Sequence, residues 1–304
     1  MIEQINENVY MIDTLASNQP GYTSVFVIKG RRLAILDSGV SLTALNIVED
    51  LERLDLNPKD VAFICLSHAH YDHAGGTHEL LGLLRERGND QVKVACTQKH
   101  SLYLSQEDKL KKILASGLVF EGELAGVMEP ISEQDFYILE DGDTIDLDTV
   151  TIRVINTPGH ERNHMAFEVP ESDFLFVGDA CGFLCGENNG NPIICPTSFP
   201  PEYRHNIYIS TMEKISAIPV SKIGFAHFGI LKEAAGHLKN AIKTANHFYS
   251  MAKQISTGTQ SLEEITVKLM NEYGRALNSL FPDHTKRNLV LGAMIQGLVF
   301  DLSR

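Results

Sequence analysis

Ser67-His68-Ala69-His70-Tyr71-Asp72-His73-Ala74-Gly75-Gly76 is the stretch on which the reading of this chain turns. Three imidazoles and a carboxylate fall within six residues, directly after the nearly unbroken apolar run Val61 to Leu66. A run of that length and composition is a buried strand. His68 and His70, two apart, point the same way while the backbone stays extended. Asp72 and His73 then turn toward a neighbouring point as the chain enters a helix over about Thr77 to Glu86. This is the geometry for two adjacent metal ions, with donors that suit zinc, iron or manganese. The C-terminal end of a buried strand is also where sites are usually built, so a merely polar, histidine-rich loop is the poorer reading.

Outward from this motif, strands and helices alternate. Val9 to Ile12, Tyr22 to Ile28 and Leu33 to Asp37 are β-branched and aromatic runs separated by Pro20-Gly21 and Gly30, which predicts consecutive strands joined by turns. Ser41 caps a helix reaching about Leu54. Beyond the motif come a strand over Val92 to Cys96 and a helix over about Leu102 to Leu114. Further strands follow at Val150 to Ile155, Met165 to Val169 and Phe174 to Val177, with Lys222 to Phe225 as the last. Between these, Gly182 to Pro201 is rich in Gly, Asn and Pro and reads as a loop, of the kind that often serves as a lid. From about Ile230 the pattern is helical: about Lys232 to Gln254, Ser261 to Glu272 opened by the capping box Ser261-Leu262-Glu263-Glu264, and about Thr285 to Leu302.

With 26 basic and 39 acidic residues in 304, the formal charge is −13, and 43% of the chain is hydrophobic. A chain of this size buries roughly 75% of its unfolded surface, so its core needs no staples. The acidic excess argues against tracking a nucleic-acid backbone or an anionic membrane. No secretory signal is visible in Met1 to Asp13, and the apolar run Leu289 to Phe300 is short of the ~20 residues a membrane span needs. Five cysteines, an odd number without framework spacing, fit a reducing cytoplasm, the expected location.

Three later segments each put one more ligand-type residue just past a predicted strand: Thr157-Pro158-Gly159-His160, Val177-Gly178-Asp179-Ala180 and Phe225-Ala226-His227-Phe228-Gly229. With them the sequence resembles the metallo-β-lactamase superfamily, whose HxHxDH motif, isolated His, isolated Asp and terminal His all occur here in family order. The resemblance spans roughly Val9 to Ile230, and Leu36-Asp37-Ser38-Gly39 resembles the family's early D-x-G turn. It implies an α+β fold, the αββα four-layer sandwich, over residues 1–230, with a C-terminal helical extension over 231–304 that caps the active-site side. It further implies two divalent metal ions, zinc foremost with iron or manganese as alternatives. His68, His70 and His160 would hold the first, Asp72, His73 and His227 the second, and Asp179 would bridge them. Two cations ~3.5–4 Å apart hold a water between them and bring its pKa toward ~7, which supplies a nucleophilic hydroxide without a serine or cysteine. Asp72 and Asp179 are thereby the catalytic carboxylates.

Tyr71, inside the motif, either donates to a substrate carbonyl or packs beneath the site. His164, four residues past His160, is placed beside the metals and toward substrate rather than among the ligands. Cys181, Cys185 and Cys195 lack C-x₂-C spacing and read as loop or core residues.

Within the family, Asp179 and the missing signal argue against antibiotic hydrolysis, and His70, where oxygen reductases carry glutamate, argues against redox chemistry. Hydrolysis of a thioester, ester or lactone of a small acyl substrate is the expected activity. The nearest resemblance is to quinolone-signal response thioesterase, glyoxalase II and lactonase-type enzymes. The alternative is a metal-dependent endoribonuclease or other phosphodiesterase of the same fold, although the lysines after Ile230 are spread singly along helices, as on a solvated face. The expected partner is a small-molecule acyl substrate, with no nucleic acid and no membrane, and a homodimer is entertained.

Overall fold

The computed structural model describes residues 1–188 and 190–304, and the chain forms two compact units. The first comprises residues 1–156 and 165–178, the second residues 157–164 and 179–304. In the second unit the segment after Asp179 packs with the C-terminal helices.

In the first unit, β1 (Ile2–Gln4), β2 (Val9–Asp13), β3 (Ser24–Lys29), β4 (Leu33–Leu36), β5 (Val61–Cys65), β6 (Lys93–Cys96) and β7 (Phe136–Ile138) lie in that order in one sheet. Pairing is antiparallel from β1 to β4 and parallel from β4 to β7. Parallel neighbours require crossovers, which carry α1 (Ala44–Arg53), α2 (Tyr71–Ala74), α3 (Thr77–Glu86), α4 (Gln98–Leu104) and α5 (Glu107–Glu121). The single helix expected over Leu102 to Leu114 is in fact α4 and α5. Gln106 is extended between them, and Glu107 and Asp108 open the new helix where negative charge favours its N-terminus.

A second, antiparallel run consists of β8 (Thr144–Asp146), β9 (Thr151–Asn156), β10 (Met165–Val169) and β11 (Phe174–Phe176). The two-residue alternation of β3 explains how it lies between layers. Val25 and Val27 join Ile47, Val48 and Leu51 of α1 and Leu80, Leu81 and Leu84 of α3 in one buried cluster. Phe26 faces the other way and meets Phe174 and Phe176 of β11, with ring centroids 5.2 and 5.3 Å apart. Each large side chain buried in this way contributes about 1.5–3 kcal/mol.

The second unit opens on a hairpin, β12 (Phe183–Asn188) and β13 (Asn191–Cys195). The loop expected over Gly182 to Pro201 is corrected accordingly: Phe183, Leu184, Ile193 and Ile194 fall in paired strands, with Phe and Ile among the residues that favour them. Asn189 of that stretch lies outside the described residues. After α6 (His205–Ser216) a second hairpin, β14 (Lys222–Phe225) and β15 (Gly229–Lys232), adds a strand beyond the expected last one.

Three long helices follow: α7 (Ala234–Ser256), α8 (Leu262–Leu277) and α9 (His284–Leu302). The capping box is present, with Ser261 Oγ accepting from Glu264 N at 3.1 Å and Glu264 Oε2 accepting from Ser261 N at 2.7 Å. Helix α7 packs against α6, α8, α9 and β13. Gly297 brings α9 onto the segment after β13: a Cβ there would lie 2.1 Å from Ser198 O, and Ser198 Oγ donates to Met294 O at 3.0 Å. Among the described residues no helix is long and apolar enough to cross a membrane.

Candidate functional site

In the first unit the motif leaves β5 in extended form, and His70, still extended, caps the one-turn helix α2 that carries Asp72 and His73. The ring of His68 lies beside two others, with centroids 4.5 Å from His70 and 4.1 Å from His73. His68 Nε2 and His70 Nδ1 are 2.9 Å apart, and His73 Nε2 is 3.9 Å from Asp72 Oδ2. His68 and His73 are buried, whereas the Asp72 side chain keeps 15% of its exposure.

Asp37 organises this cluster. Its φ of 61° lies in the left-handed region that Asp tolerates better than most residues. Oδ1 accepts from Ser67 N at 2.7 Å, and Oδ2 accepts from Ser67 Oγ at 2.8 Å. Oδ2 is also 2.8 Å from His73 Nδ1. A carboxylate on one ring nitrogen fixes the tautomer and leaves the other nitrogen as a ligand atom. The next residue, Ser38, donates through N and Oγ to His73 O, at 2.7 and 2.9 Å.

The second unit carries a matching cluster. Asp179 Oδ2 lies 3.4 Å from His160 Nε2, and its Oδ1 lies 3.7 Å from His227 Nε2, so one oxygen faces each imidazole. All three residues are buried. His160 Nδ1 donates to Thr197 O at 2.7 Å, which directs its Nε2 toward the carboxylate. Thr197 Oγ1 in turn donates to Asp179 O at 2.7 Å. His227 sits in the turn between β14 and β15, its carbonyl accepting from Leu184 N at 2.8 Å and its ring set edge-on to Phe183 with centroids 4.8 Å apart. Gly159, with φ 134°, packs so closely on α6 that a Cβ would be 2.4 Å from Tyr208 Cα, which seats the His160 loop.

The donor chemistry of both clusters fits divalent metal. His73 and His160 each have one ring nitrogen backed by an oxygen acceptor and the other turned toward a carboxylate, and zinc, iron and manganese all accept imidazole and carboxylate donors. Thus His68, His70, Asp72 and His73 come together in one unit, and His160, Asp179 and His227 in the other.

The remaining residues singled out in the sequence take different places. Tyr71 is buried, and its ring lies against Gly117 of α5, the packing alternative of its two readings. Nearby, Tyr22 donates to Glu121 Oε1 at 2.6 Å; burial, followed by the charges of Tyr71 and Glu121, pushes its phenol well above the ordinary range. His164 is fully buried with both ring nitrogens engaged inside the second unit, at Thr157 Oγ1 (2.8 Å) and Asp179 N (3.1 Å). That geometry makes it a support for Asp179 rather than a group presented to substrate. Cys181, Cys185 and Cys195 are buried free thiols; burial pushes Cys181 up, and a contact with Cys185 together with burial does the same to Cys195.

Sequence reasoning missed the supporting role of Ser67 and Thr157 and all of Thr197. It found Asp37 only as part of a turn. A serine or threonine hydroxyl carries no spacing signal, so nothing in the sequence marks these as partners of residues 7 to 37 positions away.

Comparison with known proteins gives a consistent picture. The model of the metallo-β-lactamase superfamily matches residues 18–227, a span that includes every ligand-type residue described above. The metallo-beta-lactamase fold-containing protein ST1585 of Sulfurisphaera tokodaii is 33% identical over 230 residues, covering 73% of this chain and 80% of that protein. The crystal structure of ST1585 aligns with a TM-score of 0.63 at 28% identity, over 78% of this chain and 86% of the other. An atrochrysone carboxyl ACP thioesterase of Emericella nidulans is 25% identical over 183 residues, 59% of this chain and 46% of that enzyme. A hydroxyacylglutathione hydrolase of Cereibacter sphaeroides is 28% identical over 138 residues, 40% of this chain and 52% of the relative. The chain therefore spans about half the length of these two enzymes.

Proposed function

The chain belongs to the metallo-β-lactamase superfamily and has its fold, and on that premise we propose that it is a metal-dependent hydrolase of a thioester, ester or lactone of a small acyl substrate. The observation that carries this reading is Asp179, whose two oxygens face His160 and His227 separately, as a carboxylate bridging two ions would. His68, His70 and His160 would hold one ion, and Asp72, His73 and His227 the other. Bound there, the metals would supply an activated water at neutral pH and a Lewis acid for the attacked carbonyl. The chain's own work is to hold the ligands without rearrangement. Asp37 and Thr197 O fix the His73 and His160 tautomers, and His164 fixes Asp179 through its backbone. Asp72, the more exposed of the two aspartates, would be the carboxylate open to exchange a proton with solvent once the ions are held.

The thioesterase and hydroxyacylglutathione hydrolase relatives support the acyl class, and the acidic balance of the chain favours it over an RNA substrate. The test is elemental analysis of the purified protein together with hydrolysis of an acyl-CoA thioester, S-lactoylglutathione, an acyl-homoserine lactone, a cephalosporin and a short RNA. About two metals per chain with thioester or lactone turnover, both lost in Asp179→Asn, is the expected result. Cleavage of RNA alone, or no metal under metal-replete conditions, would overturn it.

A further inference from the structure

Beside the His160 loop, within the second unit, lies a cleft of about 300 Å³ that the hydrolase reading leaves unused. Its lining includes Gly159 and three arginines, Arg162, Arg204 and Arg304, against a single carboxylate, Glu202. In a chain of formal charge −13, a concave surface with three guanidinium groups and one acid is a local reversal of sign.

The guanidinium groups are differently placed. Arg204 is anchored: its Nη1 donates to Tyr203 O at 2.7 Å and lies 3.9 Å from Asp301 Oδ1. Its backbone N donates to Gly159 O at 2.8 Å, which ties it to the residue preceding His160. Nε and Nη2 of Arg204 have no partner among the described residues. Arg304 lies over the Phe300 ring at 4.1 Å, a contact that holds a planar cation without using its hydrogen-bond donors. Arg162 engages Glu202 only through its backbone N, at 3.2 Å, and its side chain has no ion pair or hydrogen bond among the described residues. Guanidinium donors in such a fork match the paired oxygens of a carboxylate or phosphate. The volume, at the low end for ligand sites, suits an anionic head rather than a whole substrate.

We infer that this cleft binds the phosphate or carboxylate groups of an anionic carrier from which the acyl group is released, so that the preferred substrate is a thioester of an anionic thiol. This rests on the proposed hydrolase activity. It adds that recognition comes from the carrier, by way of Arg162, two residues along the chain from His160, and Arg204, whose backbone N meets Gly159 O.

The test combines calorimetry with kinetics on the metal-loaded full chain. Coenzyme A, glutathione and inorganic phosphate are titrated separately into the wild type and into Arg162→Glu, a surface change checked for an unaltered melting temperature. Hydrolysis is followed in parallel for the corresponding acyl thioesters and for an uncharged N-acetylcysteamine thioester. The expected result is binding of coenzyme A or glutathione that weakens with salt and drops about tenfold or more in Arg162→Glu. KM should rise for the anionic thioester and stay unchanged for the uncharged one. Phosphate competition with coenzyme A would identify phosphate as the recognised group, and competition confined to glutathione would identify carboxylate. Equal KM effects on charged and uncharged thioesters, or no binding of any of the three anions, would overturn the inference while leaving the hydrolase reading intact. Arginine-dependent binding with no turnover of any thioester would sink the hydrolase reading and leave the anion cleft standing.

Discussion

The backbone N–H of Asp179 donates to Nε2 of His164 at 3.1 Å, while Nδ1 of the same ring meets the Thr157 hydroxyl at 2.8 Å. An Nε2 that accepts requires the proton on Nδ1, so this buried ring is neutral and of one tautomer. It connects the loop before His160 to the turn that presents the Asp179 carboxylate. Replacing His164 by Ala leaves a buried N–H and a buried hydroxyl without their partner, at about 1–3 kcal/mol for each such group. His164→Ala is expected to lower both the denaturation midpoint and the metal content. Unchanged metal stoichiometry and turnover in the folded variant would show that the ring only fills space.

Asp37 accepts from Ser67 and holds His73 Nδ1, so Asp37→Asn presents an amide nitrogen where an acceptor is needed. Loss of such an outer partner typically weakens metal binding by about 10–100-fold. A chelator-competition titration of the variant should show that loss, with circular dichroism unchanged; wild-type affinity would refute the orienting role.

His205 of α6 sits between Tyr203 Oη at 3.2 Å on Nδ1 and Asn246 Oδ1 at 2.9 Å on Nε2, with Tyr249 stacked at 3.9 Å. Burial lowers its pKa below 6.5, outweighing the Asn246 contact and the Asp301 charge that raise it, while Lys253 adds to the lowering. The unfolded state therefore binds the extra proton first, so this contribution is complete above pH 6.5 and declines as pH falls through that value. Melting temperatures measured from pH 8 to pH 5.5 should fall less steeply in His205→Gln than in the wild type. Parallel curves would contradict the assignment.

Gly297 is the contact point of α9 with Ser198 O. Gly297→Ala gains helix propensity of about 1 kcal/mol, but its methyl group would lie 2.1 Å from that oxygen and would force α9 outward. Overpacking of this kind costs about 1–3 kcal/mol. Urea denaturation should show a net loss of stability, and a more stable variant would mean that α9 yields easily.

Legibility in the sequence followed the range over which the signal acts. The strands β2 to β6, the helix α3 and the Ser261 capping box depend on periodicity and on neighbours within a few residues, and they stand where the sequence puts them; α1 instead begins at Ala44 with Thr43 at its N-cap position, and Ser41, expected as the cap, lies in a 3-10 turn with its Oγ accepting from Val127 N. The hairpin of Phe183–Asn188 with Asn191–Cys195 is hard to read from composition, because the Gly, Asn and Pro content of Gly182 to Pro201 outweighs its apolar residues. Helix α6 is a further element, absent from the sequence expectations, with Tyr208, Thr211, Met212 and Ile215 buried at helical spacing. The break between α4 and α5 at Gln106 leaves no Gly or Pro to mark it.

The sequence by itself determined the family and the candidate ligand residues. A metal site needs imidazole and carboxylate at fixed offsets from strand ends, and those offsets are written in the chain from His68 to His227. Tertiary structure alone decided how the ligands are held. Asp37 meets His73 across 36 residues, Thr197 meets His160 across 37, and Asp179 takes its orientation from His164. Hydrogen bonds are short and directional, so such pairs exist only after sheets and helices have brought distant backbone together, and no local spacing encodes them.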